Sequence, residues 1–312
     1  LESSLWPVIL RSRKKQPSGE EMGNADDRMI MNRLDAVRTE NPELAEVIDL
    51  QQDLLKTRMK VNVTITTPHY TADLVRARFA QRMPLLRPEE MAVDSATFGD
   101  LYQQVCQTAA EHRPDLAQRF ADLQSLLDDD PKTVRKLATT YLETGTLIVS
   151  DEARESFSPD EIEQRELLNF VLTHALGPFL KAYAEALEPI LEQQLGHDWD
   201  KYWQHGQCPL CGGEPDLAFL DEESGARHLV CSRCDSQWKF PRIKCPFCGT
   251  SEPEMLSYFA TDDNVYRVYT CQNCLRYLKA IDRRRSRRQL PFLVERVTTV
   301  DLDVIARDEG YR

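Results

Sequence analysis

The sequence predicts an α+β protein, in which a mainly α-helical N-terminal domain precedes two tandem small β modules that each surround a metal ion. Three observations support this prediction. The chain has 312 residues, which is long enough for more than one domain. Residues 94–196 repeat apolar side chains at helical spacing. Four Cys-x-x-Cys pairs then fall together between Cys208 and Cys274, where small metal modules are expected.

The predicted helical domain covers residues 28–196. It follows a polar N-terminal stretch, residues 1–27, that we expect to be a mobile arm. Helix starts are marked where a capping residue precedes proline, at Asn41-Pro42, Asp130-Pro131 and Ser158-Pro159. Short connections between these helices favour an antiparallel bundle.

The end of the helical domain carries two further signals. Ser158 and Glu161 have the spacing of a capping box, so a helix is expected to begin there. Gly177-Pro178 is expected to bend the chain into a separate last helix, which ends at Gly196.

The four cysteine pairs have the spacing of metal ligands. A Cys-x-x-Cys turn directs two thiolates towards one point, and a second turn about 15–20 residues later completes a tetrahedral S4 site for zinc or a single iron. The intervals between successive pairs are 19, 10 and 22 residues. The sequence therefore predicts two sites in succession. Site 1 uses Cys208, Cys211, Cys231 and Cys234, and site 2 uses Cys245, Cys248, Cys271 and Cys274.

The two sites also belong to an internal repeat. Each begins with Cys-Pro-x-Cys-Gly, at residues 208–212 and 245–249, and each continues through Glu-Pro and an acidic turn to a strand-like run. Such self-similarity indicates a duplicated unit. We predict a first module at residues 197–243, a second at 244–290, and a C-terminal helix at 291–312 that packs back.

The ligand sets indicate what the metals can do. Four sulfurs fill a tetrahedral site and leave no position for water or substrate, so a structural role is favoured over a catalytic one. Single-electron transfer by iron in the same sulfur cage stays open, because geometry does not separate the two metals. The sequence contains no nucleotide-binding glycine loop and no nucleophile–base motif, and it predicts no enzyme.

Charge is distributed unevenly along the chain. Residues 205–312 hold 16 basic and 16 acidic residues, so the net charge of −12 belongs to the part before them. This balance is a poor match to a phosphate backbone, and no nucleic-acid partner is expected. The basic cluster Arg283–Arg288 could contact nucleic acid or an acidic protein, but we favour a solvated turn that pairs with the acidic helical domain.

The sequence also bears on location. It has no run of 18 apolar residues, so no membrane insertion is expected. A short apolar patch at residues 5–10 precedes the basic residues near it, which is the wrong order for a signal peptide. We expect a cytoplasmic protein, in which Cys-x-x-Cys pairs are more often metal ligands than disulfides.

The cysteine motifs resemble those of one known family, the formate dehydrogenase accessory protein FdhE. The resemblance is specific from about Trp199 to the C-terminus. The region before it resembles the family only in its general helical character. It is carried by Cys208-Pro-Leu-Cys211-Gly212, Cys231-Ser-Arg-Cys234 with Trp238, Arg242-Ile-Lys-Cys245-Pro-Phe-Cys248, Cys271-Gln-Asn-Cys274 with Tyr277-Leu278-Lys279, and the tail Asp308-Glu-Gly-Tyr311.

This resemblance implies a function. Members of the family are cytoplasmic, chaperone-like maturation factors that bind the catalytic subunit of formate dehydrogenase and are not themselves catalysts. Their paired modules are similar to rubredoxin, so the resemblance favours iron at both sites. A rubredoxin carries Cys-Pro-x-Cys-Gly at both halves of its site. Here only the first half of each site has it, and zinc is the alternative metal.

Two other functions stay open from the residues. The first is a rubredoxin-like iron protein that transfers electrons, and the second is a zinc-ribbon protein that binds nucleic acid through Arg283–Arg288. A homo-oligomer is also possible.

Overall fold

The computed structural model describes residues 19–129, 131–144, 157–286 and 290–312. Of the predicted mobile arm, residues 1–18 lie outside this part of the chain. Its remaining residues form the beginning of the first helix, α1, which starts at Gly19.

Seven helices build the N-terminal region within the described ranges. Polar caps start several of them: the Asp94 carboxylate accepts a hydrogen bond from the Thr97 amide at 2.7 Å. Ser158 and Glu161 form the predicted capping box. The helices are α1 (Gly19–Glu40), α2 (Ala45–Met59), α3 (Ala72–Ala80), α4 (Ser95–His112), α5 (Ala117–Asp129), α6 (Pro131–Thr144) and α7 (Pro159–Leu195).

Helix α7 differs from its sequence-based prediction. It runs through Gly177-Pro178 without a break, as one helix of 37 residues that also contains Pro189. A proline inside a helix removes one hydrogen bond and costs about 3 kcal/mol. Here the helix buries a long apolar face against the other helices, including Phe179 and Leu187. The prediction of a separate last helix was wrong, because packing outweighs the local preference.

The C-terminal region is built on one six-stranded sheet. The strands are β1 (Pro215–Leu220), β2 (Arg227–Cys231), β3 (Gln237–Lys239), β4 (Leu256–Ala260), β5 (Tyr266–Cys271) and β6 (Arg276–Asp282). Their order is β3-β2-β1-β6-β5-β4. Neighbours pair antiparallel except β1 and β6, which pair in parallel with Leu217 opposite Lys279. Each cysteine-containing half supplies three consecutive strands. The parallel pair therefore joins the first strand of the first half, β1, to the last strand of the second half, β6.

The chain ends in two short helices, where the sequence pattern indicated one. They are α8 (Phe292–Thr298) and α9 (Val300–Asp308), and the buried Thr299 separates them. Val294 and Val297 of α8 pack against α1 and α2, through a cluster that contains Leu34 and Ile48. Helix α9 packs Leu302 and Ala306 against Val268 of the sheet. The tail therefore contacts both the helical region and the sheet.

The predicted fold class is confirmed: a helical N-terminal region precedes a small sheet region that carries two clusters of four cysteines. The largest apolar core continues from the helices into the first half of the sheet region, from Leu54 and Tyr183 to Leu229 and Trp238. The domain boundaries proposed from the sequence stay a prediction. Among the described helices, none has the length and apolarity that crossing a bilayer requires.

Candidate metal centres

The first cysteine cluster consists of Cys208, Cys211, Cys231 and Cys234, whose sulfurs all lie within 4.8 Å of one another. Three of the Sγ–Sγ distances are 3.7 Å for Cys208–Cys234, 3.5 Å for Cys211–Cys231 and 3.4 Å for Cys211–Cys234. A tetrahedral ion with metal–sulfur bonds of about 2.3 Å separates its ligand sulfurs by about 3.8 Å. The cluster therefore has close to the dimensions of an S4 metal cage.

The second cysteine cluster consists of Cys245, Cys248, Cys271 and Cys274, and its sulfurs also lie within 4.8 Å of one another. The Sγ–Sγ distances are 3.8 Å for Cys245–Cys274 and 3.7 Å for Cys248–Cys271. Either group of four thiolates could hold a zinc ion or a single iron. The structure thus brings together each set of four that the sequence grouped. It places the ninth cysteine, Cys106, apart from both clusters in the helical core.

The first turn of each cluster has the same backbone geometry. In one turn the Gly212 amide donates to the Cys208 carbonyl at 3.0 Å, and in the other the Gly249 amide donates to the Cys245 carbonyl at 3.0 Å. Both glycines have positive φ, +74° and +78°. Left-handed backbone at this position turns the chain around the two sulfurs, and glycine adopts it at little cost.

The second turn of each cluster reaches the same geometry without glycine. The Asp235 amide donates to the Cys231 carbonyl at 3.2 Å, and the Leu275 amide donates to the Cys271 carbonyl at 2.9 Å. Asp235 has φ of 60° and Leu275 has φ of 54°. All four turns therefore place the residue after the second cysteine in the left-handed region.

Several polar groups lie close enough to hydrogen-bond the sulfurs. The Arg233 amide donates to the Cys231 sulfur at 3.4 Å, and the Asn273 side chain donates to the Cys248 sulfur at 3.4 Å. The Ser236 hydroxyl lies 3.0 Å from the Cys234 sulfur. Such donors stabilise thiolates and orient them towards a metal.

Two histidines, His205 and His228, each lie three residues before a cysteine in the sequence. His205 packs edge-on against Trp203, and His228 stacks on Phe219 with ring centroids 4.9 Å apart. Burial lowers the pKa of each imidazole below its ordinary value. Both histidines are therefore packing residues.

Burial opposes the ionisation of two thiols in the first cluster. Burial raises the pKa of Cys208 and of Cys234 well above the ordinary value, while hydrogen bonds from the neighbouring thiols lower the pKa of Cys211. Four thiolates at these distances would repel one another strongly. A bound divalent cation removes that penalty, which is why metal binding to such clusters releases protons.

The first cluster is buried against the helical region. All four of its cysteines are buried, and they belong to the same apolar core as the helices. The turn itself is held by backbone hydrogen bonds, since the Leu85 and Leu86 amides donate to the Pro209 and Leu210 carbonyls, both at 2.8 Å.

Arg233 adds a link from the first cluster to α6. Its guanidinium donates to the Tyr141 carbonyl at 2.8 Å and to the Leu142 carbonyl at 3.1 Å, and it lies 4.7 Å from the centre of the Tyr141 ring. Carbonyls in the last turn of a helix have no partner within the helix, so Arg233 satisfies groups that would otherwise be buried and unpaired.

Arg296 holds α8 to the same cluster. It donates to the Asp216 carboxylate at 2.6 and 3.0 Å, to the Asp235 carboxylate at 2.7 Å and to the Cys231 carbonyl at 3.1 Å. The sequence reasoning did not identify Arg233, Asn273 or Arg296. Arg233 and Asn273 lie inside Cys-x-x-Cys motifs, and this position is a weak signal of a role near the sulfurs. The hydrogen-bond partners of Arg233 and Arg296 are distant in the sequence, so no spacing pattern indicates them.

The second cluster is more open than the first. Cys248 is exposed and Cys274 is half-buried, whereas Cys245 and Cys271 are buried. Burial opposes ionisation of Cys248, but hydrogen bonds from the Asn273 side chain and the backbone lower its pKa to about 7. Leu275, next to this cluster, is 48% exposed. The two clusters therefore share a ligand set but differ in access from solvent.

The basic cluster has partners that the sequence did not indicate. Arg283 stacks on Phe219 with its guanidinium carbon 3.8 Å from the ring centre. Arg284 donates to the buried Asp282 carboxylate at 2.8 and 2.7 Å. The contacts described for these two arginines are thus with the sheet, at β1 and at the end of β6, and, for Arg283, with Phe292 of α8. Arg287 and Arg288 lie outside the described residues.

Comparison with known proteins gives three findings. A family model described as "FdhE, central domain" matches residues 207–242. A "Protein FdhE homolog" from Aquifex aeolicus is 27% identical over 288 residues, which is 90% of this chain and 90% of that protein. A "Protein FdhE homolog" from Serratia proteamaculans is 32% identical over 116 residues, 36% of this chain and 37% of that protein.

A solved structure shares the fold. The crystal structure of the FdhE protein from Pseudomonas aeruginosa aligns with a TM-score of 0.59 and 19% identity, and the alignment covers 95% of this chain and 94% of that one. The cysteine motifs predicted a resemblance to the FdhE family, and these comparisons confirm it. The family model matches the first cysteine module, the Aquifex aeolicus protein is similar over 90% of the chain, and the Pseudomonas aeruginosa structure has the same fold.

Proposed function

We propose that the chain belongs to the FdhE family and is an accessory protein for the maturation of formate dehydrogenase. It binds the catalytic subunit of that enzyme in the cytoplasm and does not itself catalyse a reaction. The observation that carries this proposal is the similarity to a "Protein FdhE homolog" over 90% of both chains. The match includes the helical region, so it extends well beyond the cysteine motifs.

Each cysteine cluster, in this proposal, holds one metal ion through its four thiolates. Iron is favoured by the family resemblance, and zinc is the alternative. The first metal stabilises the junction of sheet and helices, because its ligands are buried in the shared core. The second metal lies near the surface, where Cys248 is exposed. A partner or a redox reagent could reach it there.

A strain that lacks this chain tests the proposal. We expect formate dehydrogenase activity to be lost in the deletion strain and restored by the wild-type chain. We also expect the tagged chain to recover the catalytic subunit from an extract. Cys271→Ser should fail to restore activity, whereas Cys106→Ala, which changes a cysteine outside both clusters, should restore it. Unchanged activity in the deletion strain, together with no recovered subunit, would refute the proposal.

Electron transfer by iron is a second candidate, and the exposure of Cys248 favours it. A metal that exchanges electrons needs a ligand near the surface. This candidate predicts that protein purified without oxygen from iron-supplied cells turns red on oxidation and loses its colour on reduction. A colourless protein with two zinc ions would count against it.

A further inference from the structure

A basic pocket lies at the first half of the sheet region, and two of its lining residues, Arg227 and Arg242, also line the space next to Cys245 and Cys271 of the second cysteine cluster. This pocket of about 310 Å³ opens between the turn at residues 199–202, the start of β2 and the segment that follows β3. Its charged lining comprises four basic side chains and one acidic side chain: Lys201, Arg227, Lys239, Arg242 and Asp200. Phe240 supplies an apolar wall.

The basic side chains of this pocket are not neutralised by the protein. Within the described part of the chain, Lys201, Lys239 and Arg242 form no ion pair with a carboxylate, and all three are exposed. The chain as a whole carries a net charge of −12. The four basic side chains around this pocket therefore create a local positive potential on a protein whose net charge is negative.

Arg227 distinguishes this pocket from a patch of surface lysines. It is only 3% exposed, yet no carboxylate pairs with it among the described residues. One guanidinium nitrogen, Nη2, donates to the Pro241 carbonyl and, at 2.6 Å, to the Lys244 carbonyl. Its Nε has no hydrogen-bond partner in the described structure. The rings of Phe240 and Tyr269 lie 5.3 and 5.5 Å from its guanidinium carbon, and Cys245 is a nearby thiol. Burial of a cation that has no carboxylate partner is costly, and an anion in the pocket would offset part of that cost.

The chemistry of the lining selects the kind of anion. Guanidinium groups bind phosphate through parallel N–H donors, and lysines add point charges. Four cations against one carboxylate leave an excess of positive charge that one phosphate would not neutralise. A pocket of this volume is also larger than a single phosphate and lies at the lower end of the range for small-molecule sites.

We propose that this pocket binds a small molecule that carries two phosphate groups, with Lys201, Arg227, Lys239 and Arg242 as its ligands. The Phe240 ring, 5.3 Å from the Arg227 guanidinium carbon, provides a surface for the non-phosphate part of the molecule. The proposal goes beyond the proposed function and does not depend on it. It assigns no cysteine of either cluster as a ligand.

Isothermal titration calorimetry with the full chain and inorganic pyrophosphate, at constant ionic strength, tests the proposal. We expect saturable binding with one site per chain, and binding of inorganic phosphate at least about tenfold weaker. Lys239→Gln and Arg242→Gln change exposed side chains, so they should fold normally, and each should weaken pyrophosphate binding at least about tenfold. Lys60→Gln, an exposed lysine at the end of α2, is the matched control and should bind as the wild type does.

Three results would overturn the proposal. One is the absence of saturable pyrophosphate binding, and another is equal binding by the wild type and the Lys239→Gln/Arg242→Gln double variant. The third is that a single-stranded oligonucleotide or a polyglutamate peptide binds, with loss in the double variant, while pyrophosphate does not. That outcome would assign the basic lining to a macromolecular partner.

Discussion

At the scale of single residues, each Cys-x-x-Cys turn depends on the backbone of the residue that follows it. Gly212 and Gly249 adopt positive φ at little cost, whereas Asp235 and Leu275 adopt it with a side chain. Asp235 gains an ion pair with Arg296 at 2.7 Å. Leu275 is 48% exposed. The left-handed backbone at Leu275 is therefore a local strain, which the turn hydrogen bond from the Leu275 amide to the Cys271 carbonyl offsets.

Replacing Leu275 with glycine should stabilise the second cluster. Left-handed backbone costs a residue with a side chain about 1 kcal/mol, so Leu275→Gly should raise the free energy of unfolding by up to that amount. The measurement is the denaturant midpoint of the metal-loaded protein. Leu275→Ala is the control, because it removes the exposed side chain and keeps the strain. A lower midpoint for the glycine variant than for the alanine variant would show that the backbone is not strained, because glycine gives the unfolded chain more conformational freedom.

Asp282 is the second residue whose environment allows a sharp prediction. It is fully buried and accepts hydrogen bonds from Arg267 at 2.7 Å and from Arg284 at 2.7 and 2.8 Å. Asp282→Ala should cost about 3 kcal/mol, because it leaves the buried Arg267 without its counter-charge. Arg284→Gln, which alters the more exposed partner, should cost less than about 1 kcal/mol. Similar losses for the two variants in denaturant unfolding would contradict this ranking.

The same carboxylate gives stability a defined pH dependence. The hydrogen bond from Arg284, and then the charges of the two arginines, lower the pKa of Asp282 below its ordinary value. Its stabilising contribution is thus complete above about pH 4, the pKa of an aspartate in an unfolded chain, and is lost as pH falls through the lower pKa of the folded state. Asp282→Ala should flatten that part of the curve of unfolding free energy against pH.

At the scale of elements, the two cysteine clusters are built from equivalent turns and strands but lie in different surroundings. Each cluster joins the turn before its first strand to the turn between its second and third strands. The first cluster is enclosed by α6, by the segment at Leu85 and Leu86 and by α8. The second cluster keeps one exposed and one half-buried cysteine. The duplication therefore produced two sites of equal chemistry and unequal accessibility.

This difference predicts the order in which the metals are removed. A chromogenic chelator should take one metal equivalent from the second cluster at least about tenfold faster than the other, because release of the first requires opening of the packed junction. Cys248→Ser should abolish the fast phase and leave the slow one. A single phase with two equivalents, or loss of the slow phase in Cys248→Ser, would show that the clusters are equally accessible.

At the scale of the whole molecule, the helices, sheet and C-terminal tail are connected through a few long-range contacts. The largest core runs from the helices to the first cluster, and α8 packs on α1 and α2. The sheet continues across both halves through the parallel pairing of β1 and β6. Loss of the first cluster should therefore lower the stability of the helical region. Loss of the second cluster should mainly affect the second half of the sheet.

Single-ligand variants test this coupling. Cys231→Ser should lower the midpoint of helix unfolding, followed by circular dichroism at the helical minimum, because it opens the core that the helices share. Cys271→Ser should lose its metal with a smaller shift of that midpoint. Cys106→Ala, in the helical core but in neither cluster, controls for the loss of a buried sulfur. If Cys231→Ser left the helices unchanged, the helical region would be independent of the first cluster.

Sequence reasoning alone predicted the features that depend on local spacing. Four Cys-x-x-Cys pairs, a repeated Cys-Pro-x-Cys-Gly turn and capped apolar helices were enough to predict the fold class, the grouping of the cysteines and the family resemblance. These features depend on residues close in sequence, whose geometry follows from short-range sterics and hydrogen bonds.

Only the tertiary structure determined how these parts meet. The parallel pair of β1 and β6 joins residues about 60 positions apart, and the bonds of Arg233 to the end of α6 join residues about 90 positions apart. The first cluster is buried against the segment at Leu85 and Leu86, which lies still further away in the sequence. The continuity of α7 through Pro178 has the same origin, because buried contacts outweigh the local cost of proline. The buried face of α7 does recur at helical spacing on both sides of Pro178. The contacts between distant segments leave no such periodic pattern, since each is made once.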